Sequence, residues 1–137
     1  MVETQDAERI ERIAREVVDA SIKVHKALGP GLLESVYVRV LARELEHRGF
    51  GVHREYPVGV VWEGEDLGVG YRIDLLVDEL VVLEIKSAEG NPKSYAKQAL
   101  TYLRLLKLPL AFVLNFSHAL MKDGIERVAN NYFGGKS

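Results

Sequence analysis

The stretch Tyr71–Gly90, YRIDLLVDELVVLEIKSAEG, contains the most apolar run of the chain, and charged residues lie inside that run. The segment Leu80–Ile85 is apolar and rich in β-branched residues apart from Glu84, and Lys86 follows it directly. Charged side chains are almost never fully buried unless they are paired or bound to a metal ion. The pattern predicts two strands joined by a tight turn around Asp78–Glu79, with charges concentrated at one end of a buried strand.

The spacing of the charged residues predicts that they share one face of this hairpin. Residues two apart in a strand point to the same side, so Glu84 and Lys86 are expected to lie together. If Asp78–Leu80 forms a three-residue loop, Asp74 faces Glu84 directly, with side chains about 5 Å apart. A two-residue loop would instead place Asp74 opposite Leu83 and on the other face, unless a bulge restored the register.

Two carboxylates at that distance predict a site for a divalent cation. Their mutual repulsion raises the pKa of one of them, and a bound cation removes the conflict. Mg²⁺ takes oxygen ligands and is commonly held by one or two carboxylates together with waters and substrate phosphates. We expect Asp74, Glu84 and the backbone carbonyl of Ile85 to bind the metal, and Lys86 to orient water or neutralise a phosphate. The alternative is a surface hairpin with an ordinary cross-strand ion pair.

The composition is that of one globular domain spanning residues 1–137. The chain has 137 residues, 47% hydrophobic and 28% charged, with no cysteine for disulfides or thiolate metal sites. The first residues are charged and lack the apolar core of a signal peptide, so a cytoplasmic location is expected. The net charge of −2 is low for a general nucleic-acid-binding protein.

The rest of the chain predicts an α+β fold, close to α/β, with the order ααβββαβ(β). A mixed sheet of about four to five strands is expected between helices, and the helix after Lys86 makes a crossover that requires parallel strands. Pro57 and Gly59 place their strand at an edge or at a bulge. The predicted elements are helices over 6–28, 32–47 and 92–106, and strands over 53–64, 69–77, 80–87, 110–116 and 125–128.

The charged residues of the hairpin also resemble a known signature. Asp74 followed by Glu84-Ile85-Lys86 resembles the motif of the PD-(D/E)xK nuclease superfamily, with Ile73 in place of the motif's proline. The segment Gly31–Tyr37, GLLESVY, resembles the GxxExxY protein family, a group of small PD-(D/E)xK-like proteins, and LGPG, QALTYL and LNF occur in that family's order. The resemblance implies a restriction-endonuclease-like core, a nuclease activity and a requirement for Mg²⁺ or Mn²⁺.

Two further polar residues are expected at the same site. Glu34 lies in the first turn of the second helix, where the helix dipole favours a carboxylate, but helical spacing also places it on the inward stripe with Leu41. Gln98 lies on the expected core face of the third helix with Tyr102, where it would satisfy a buried backbone group or reach the site. The resemblance implies that Glu34 joins the metal site and that Gln98 approaches the lysine and the scissile phosphate.

A basic stripe on the third helix predicts contacts with phosphate groups. The segment Lys86–Lys107 carries five basic residues and one acidic residue. A solvated helix face would show the same pattern. The residues expected to bind nucleic acid are Arg72, Lys93, Lys97, Arg104 and Lys107.

These observations predict a metal-dependent nuclease acting on nucleic acid, with DNA favoured over RNA. Two alternatives stay open. The first is a nucleic-acid-binding module of the same fold without turnover. The second is an interaction protein, for example a homodimer formed through Leu100, Leu103 and the first helix. Metal binding and turnover on DNA and RNA discriminate among the three.

Overall fold

The computed structural model describes residues 4–134, with side chains from residue 6 onward. Five strands and three α-helices occupy this part of the chain, and the predicted element order is confirmed. The elements are α1 (Thr4–Leu28), α2 (Glu34–His47), β1 (Val52–Trp62), β2 (Glu65–Val77), β3 (Val81–Lys86), α3 (Pro92–Leu106), β4 (Leu110–Asn115), a short 3₁₀ helix (Met121–Gly124) and β5 (Ile125–Ala129).

The five strands form one mixed sheet in the order β1-β2-β3-β4-β5. Strands β3 and β4 are parallel neighbours, as the α3 crossover between them requires, and the other neighbouring pairs are antiparallel. The short strand predicted at 125–128 is confirmed as β5. Strand β1 lies at an edge of the sheet, and register shifts flank Gly59, so the edge position and the bulge predicted from Pro57 and Gly59 are both found.

The sheet carries helices on both faces, which makes β3 a strand buried on two sides. Leu83 and Ile85 pack into a core with α1 and α2, whereas Val82 packs with Leu103 of α3. This double burial explains why β3 is a continuous apolar run instead of an alternating one. A charged residue inside such a strand is therefore enclosed by the fold.

The β2–β3 hairpin has the register that the three-residue loop predicts. Leu75 pairs with Leu83 and Val77 pairs with Val81, and the N–H of Leu80 donates to the carbonyl of Val77 at 2.9 Å. The loop residues Asp78 and Glu79 adopt positive φ angles of 49° and 59°. Extending this register by one residue brings Asp74 next to Glu84.

The inward face predicted for α3 is partly wrong. Ala99, Tyr102 and Leu103 are buried, whereas Gln98 is exposed and Leu105 is 51% exposed. The buried face of the helix is formed by Ala99, Tyr102 and Leu103, and Gln98 and Leu105 lie to one side of it. Leu103 is consequently part of the core, which corrects its predicted place in a homodimer surface.

The prediction that Glu34 faces the core is also wrong. Glu34 is the first residue of α2 and is exposed, because the helix begins at the edge of the core. Among the described residues, no helix has both the length and the apolar character needed to cross a membrane.

Candidate active site

The carboxyl group of Asp74 is anchored on strand β3. Its Oδ2 accepts a hydrogen bond from the backbone N–H of Ile85 at 2.8 Å, beside the last paired residues of the β2–β3 ladder. Burial raises the pKa of Asp74, while the Ile85 N–H and the nearby charge of Lys86 act in the opposite direction. The backbone amide thus fixes one carboxylate oxygen at the edge of the strand that carries Glu84.

Glu84 is a buried carboxyl group with only half of its hydrogen-bonding capacity satisfied. The residue is 3% exposed, and the hydroxyl of Tyr71 donates to its Oε2 at 2.9 Å. Its Oε1 is buried and has no hydrogen-bond partner among the described residues. Burial, followed by the charge of Asp74, raises the pKa of Glu84 from 4.5 to about 7. The Tyr71 hydroxyl, the charge of Lys86 and the backbone N–H of Asp74 oppose this rise, but the Asp74 N–H does not reach hydrogen-bonding geometry with Oε1. Asp74 and Glu84 therefore converge, as predicted.

Tyr71 holds Glu84 from the α3 side of the sheet. Its ring stacks on Tyr102 of α3, with centroids 3.9 Å apart and planes 15° from parallel. Burial raises the pKa of both tyrosine hydroxyl groups, so Tyr71 stays a proton donor toward the carboxylate. The stacked pair directs a neutral hydrogen-bond donor at Oε2 of Glu84, whereas Oε1 receives no donor.

Lys86 lies beside the two carboxyl groups. Its Nζ is 4.9 Å from the centroid of the Tyr95 ring, which supports the ammonium group by a cation–π contact. Its charge lowers the pKa of Asp74, Glu84 and Glu34 against the larger effect of burial. The ammonium group is therefore close enough to act electrostatically on all three carboxyl groups.

Glu34 reaches the same place from α2. Burial of its carboxyl group raises the pKa of Glu34, opposed by Lys86 and by the backbone N–H of Ser87, while the charge of Asp74 adds to the rise. The side chain as a whole stays exposed, so the group lies at the mouth of the site.

The loop before α2 is held by Tyr37. Its hydroxyl donates to the carbonyl of Gly29 and accepts from the N–H of Leu32, and its ring stacks on Phe116 with centroids 4.4 Å apart. The sharp turn at Gly29 and Gly31 requires positive φ angles, of 69° and 106°. The tyrosine thereby fixes the position at which α2, and hence Glu34, begins.

The donor set fits a cation bound by two carboxylates. Within the part of the chain that the structure describes, no group of three or more His, Asp or Glu side chains is placed to hold a metal ion together. Asp74 and Glu84 remain, with the carbonyl of Ile85 next to them, and this suits Mg²⁺, which keeps several waters. Glu34, predicted as a ligand, does not join Asp74 and Glu84 in such a group, although the charge of Asp74 acts on its carboxyl group.

Gln98 is not brought to the carboxylates by a direct contact. It is exposed and makes no hydrogen bond to a described residue. It does lie on α3 between Tyr95, which touches Lys86, and Tyr102, which touches Tyr71. Its predicted role toward a phosphate therefore stays a prediction.

Sequence reasoning missed Tyr71, Tyr95 and Asn115 as parts of the site. Strict alternation from Glu84 through the hairpin register assigns Tyr71 to the other face of the sheet. The alternation is interrupted, however, because Ile73 and Leu76 join the same core cluster. Asn115 pairs with Lys86 across β3 and β4, donates to the carbonyl of Ala88 at 3.1 Å and accepts from the N–H of Ser117 at 3.0 Å.

The basic residues predicted to contact nucleic acid are all exposed but differ in their distance from the site. Lys93 and Lys97 lie in the first turns of α3, where Tyr95 meets Lys86. Arg104 lies near the other end of the helix and Lys107 directly follows it. They are 7 and 10 residues beyond Lys97, or about 10 and 15 Å at 1.5 Å per residue. Arg72 is exposed on β2, opposite Pro57.

Comparison with known families gives one match that covers most of the chain. The model of a family described as belonging to the PD-(D/E)XK nuclease superfamily matches residues 11–128. A search of curated proteins and a search of solved structures found no match. The five-stranded mixed sheet with helices on both faces is the arrangement expected of a restriction-endonuclease-like fold.

Proposed function

Because the chain belongs to the PD-(D/E)XK nuclease superfamily, we propose that it hydrolyses phosphodiester bonds in nucleic acid with the help of Mg²⁺ or Mn²⁺. One observation carries the proposal: Oε1 of Glu84 is buried, has no hydrogen-bond partner in the described structure, and lies beside a second carboxyl group. Buried polar groups are normally satisfied, and an unsatisfied carboxylate oxygen next to another acid is suited to a cation.

Asp74 and Glu84 are the proposed ligands, with the carbonyl of Ile85 as a further oxygen donor. A divalent cation in such a site lowers the pKa of bound water and neutralises charge on a phosphate. The chain supplies the preorganisation. The Ile85 N–H fixes Asp74 and the Tyr71 hydroxyl fixes Glu84.

Lys86 is proposed to stabilise negative charge that develops on the scissile phosphate. Its ammonium group is supported by the face of Tyr95, so it is held near the carboxylates without forming an ion pair with either of them among the described residues. Glu34 is proposed to orient water at the mouth of the site, and Gln98 to contact substrate. Lys93 and Lys97 are near enough to bind the flanking phosphates, with Arg72, Arg104 and Lys107 as more distant contacts.

We further infer that the chain is a single nuclease domain of the GxxExxY type. The family match over residues 11–128 supports one domain. Two residues of the Gly31–Tyr37 motif have identifiable contacts. The hydroxyl of Tyr37 closes the loop before α2, and the carboxyl group of Glu34 lies near the charges of Asp74 and Lys86.

Cleavage of a mixed nucleic-acid panel tests the proposal. Single- and double-stranded DNA and RNA are incubated with the protein in Mg²⁺, in Mn²⁺ and in EDTA, and both products and binding are measured. We expect metal-dependent cleavage, with DNA preferred over RNA, and a loss of about 100-fold or more in Lys86→Ala. Glu46→Gln, an exposed substitution near the C-terminal end of α2, serves as the control and should cleave like the wild type.

Two outcomes would contradict the proposal. Binding of nucleic acid without turnover under every metal condition would identify the catalytically idle module instead. Cleavage that survives in Lys86→Ala at the wild-type rate would show that the activity comes from another site or from a contaminant.

A further inference from the structure

The β1–β2 hairpin extends beyond the body of the protein as an arm, which we define as residues 59–70. Val58 is 1% exposed, and every residue of the arm after it is exposed. Trp62 pairs with Glu65 around a two-residue turn at Glu63-Gly64, which has φ angles of 49° and 80°. From Val58 to Trp62 the strand extends about 13 Å at 3.3 Å per residue.

The arm exposes more large apolar side chains than a hairpin surrounded only by water is expected to have. Its exposed large apolar residues are Val60, Val61 at 65%, Trp62 at 67%, Leu67 at 56% and Val69 at 54%. Several large exposed apolar side chains close together on one hairpin mark an interaction site. Trp62 is the single tryptophan of the chain, and tryptophan is enriched among the residues that dominate binding.

The charge of the arm decides which kind of partner it fits. Glu63, Glu65 and Asp66 are its only charged residues, so it carries three negative charges and no positive one. A surface of that sign is repelled by the phosphate backbone. The complementary partner is a protein surface with an apolar centre and basic residues around it.

The chain itself presents such a surface at the C-terminal end of α3. Leu105 is 51% exposed there, between Arg104 and Lys107, and α3 contains no acidic residue. We call Arg104, Leu105 and Lys107 the basic end of α3. Its sign is opposite to that of the arm, and it offers an apolar side chain of matching exposure.

Topology keeps the arm and the basic end of the same molecule apart. Strand β2 is antiparallel to β3, so the arm projects from the end of the sheet at which β3 finishes. Helix α3 starts near that end, where Tyr95 meets Lys86, and runs back toward the start of the parallel strand β4. The basic end therefore lies at the opposite end of the molecule.

We propose that two copies of this chain form a two-fold dimer in which the arm of each copy binds the basic end of α3 of the other. A two-fold rotation perpendicular to the strands reverses one copy and brings each arm to its target, so the contact is made twice and the assembly closes. Lys93 and Lys97, near the site, stay outside this contact. In the dimer Arg104 and Lys107 contact the arm of the other copy, so they are available to nucleic acid only in the monomer. The proposed metal site at Asp74 and Glu84 does not depend on this contact.

Mass and tryptophan fluorescence, measured over a range of protein concentrations, test the dimer. Light scattering after size exclusion should show a concentration-dependent rise to twice the monomer mass, weakened by salt. The emission of Trp62 should move to shorter wavelength over the same range, because the indole leaves water. Leu67→Ser on the arm and Leu105→Ser on α3 should each weaken association by about tenfold or more. Leu120→Ser, at a leucine 55% exposed elsewhere, is the control and should have no effect.

A charge exchange tests the pairing itself. Glu65→Lys and Arg104→Glu should each weaken the dimer, and the two together in one chain should restore it. A monomer at every concentration, or a dimer that either leucine variant leaves unchanged, would overturn the proposal, as would failure of the double variant to restore association. A Trp62 shift that requires an oligonucleotide and not a second copy would also overturn it and assign the arm to nucleic acid.

Discussion

Replacing Glu84 by Gln should stabilise the metal-free protein at alkaline pH. Glutamine keeps an oxygen that accepts from the Tyr71 hydroxyl but carries no charge, so it removes the repulsion by Asp74. The enclosed position of Glu84, 3% exposed, makes its ionisation costly for the folded state. We therefore expect Glu84→Gln to bind metal less tightly than the wild type but to be more stable than it when no metal is present.

The magnitude follows from the pKa of Glu84, which burial raises from 4.5 to about 7. Between these two values the folded state binds more protons than the unfolded state, so wild-type stability falls as pH rises and levels off above about pH 7. A pKa difference of one corresponds to about 1.4 kcal/mol, so the total fall is on the order of 3 kcal/mol. Glu84→Gln lacks this fall. It should match the wild type near pH 4.5 and exceed it by up to about 3 kcal/mol at pH 8.

Urea denaturation in EDTA from pH 4.5 to 8.5 measures the effect, with Glu126→Gln as the matched control at an exposed position. Adding Mn²⁺ at pH 8 should then stabilise the wild type and shift Glu84→Gln little, because only the wild type gains binding free energy. The same dependence of unfolding free energy on pH in both proteins in EDTA would contradict this prediction, as would a lower stability of Glu84→Gln at pH 8.

Three further predictions concern neighbouring contacts. Tyr71→Phe should lower stability by about 1–3 kcal/mol, since Oε2 of Glu84 loses its donor, and added Mn²⁺ should recover part of the loss in thermal melts; unchanged melting would show that the hydrogen bond contributes nothing. Tyr37→Phe should cost about 1–2 kcal/mol and slow cleavage, because the loop before Glu34 loses its hydroxyl contacts; a full cleavage rate would exclude a positioning role. Arg127→Gln should cost about 1 kcal/mol at neutral pH, because Arg127 holds the pKa of Glu11 below its usual value. The part of that cost due to the Glu11 ion pair should disappear as Glu11 is protonated on acidification, while the contacts of Arg127 with the Gly134 carbonyl and the Tyr132 ring remain. A cost independent of pH would contradict this.

The sequence predicts the sheet and the carboxylate pair because those features depend on local rules. The apolar run around Glu84 indicates a strand covered on both faces, and the loop at Asp78–Leu80 fixes the register that brings Asp74 beside it. Pro57 predicts the edge strand because it cannot donate to a ladder. Each inference needs only a short segment and one geometric rule.

The tyrosine contacts escape prediction because they depend on irregular or tertiary geometry. Ile73 and Leu76 lie in one core cluster while Leu75 lies in the other, so β2 breaks its alternation next to Asp74, and Glu55 on the neighbouring strand has a φ angle of 51°. Periodicity then assigns Tyr71 to the wrong face.

The rotation of α3 could not be read from its sequence for a related reason. Its apolar residues cover more than half of the helix circumference, so periodicity does not select which part of that arc faces the sheet; tertiary packing buries Ala99, Tyr102 and Leu103. Gln98 falls outside that face, and Leu105 is left exposed.

Mn²⁺ binding followed by electron paramagnetic resonance tests directly whether Asp74 and Glu84 bind one divalent cation together. Free Mn²⁺ is titrated into the wild type, Asp74→Asn and Glu84→Gln at pH 8, with and without an oligonucleotide that the protein does not cleave. We expect the wild type to deplete the free Mn²⁺ signal, more strongly when phosphate oxygens are present, and both variants to leave it nearly unchanged. Equal depletion of the signal by all three proteins would contradict binding of the cation by these two carboxylates.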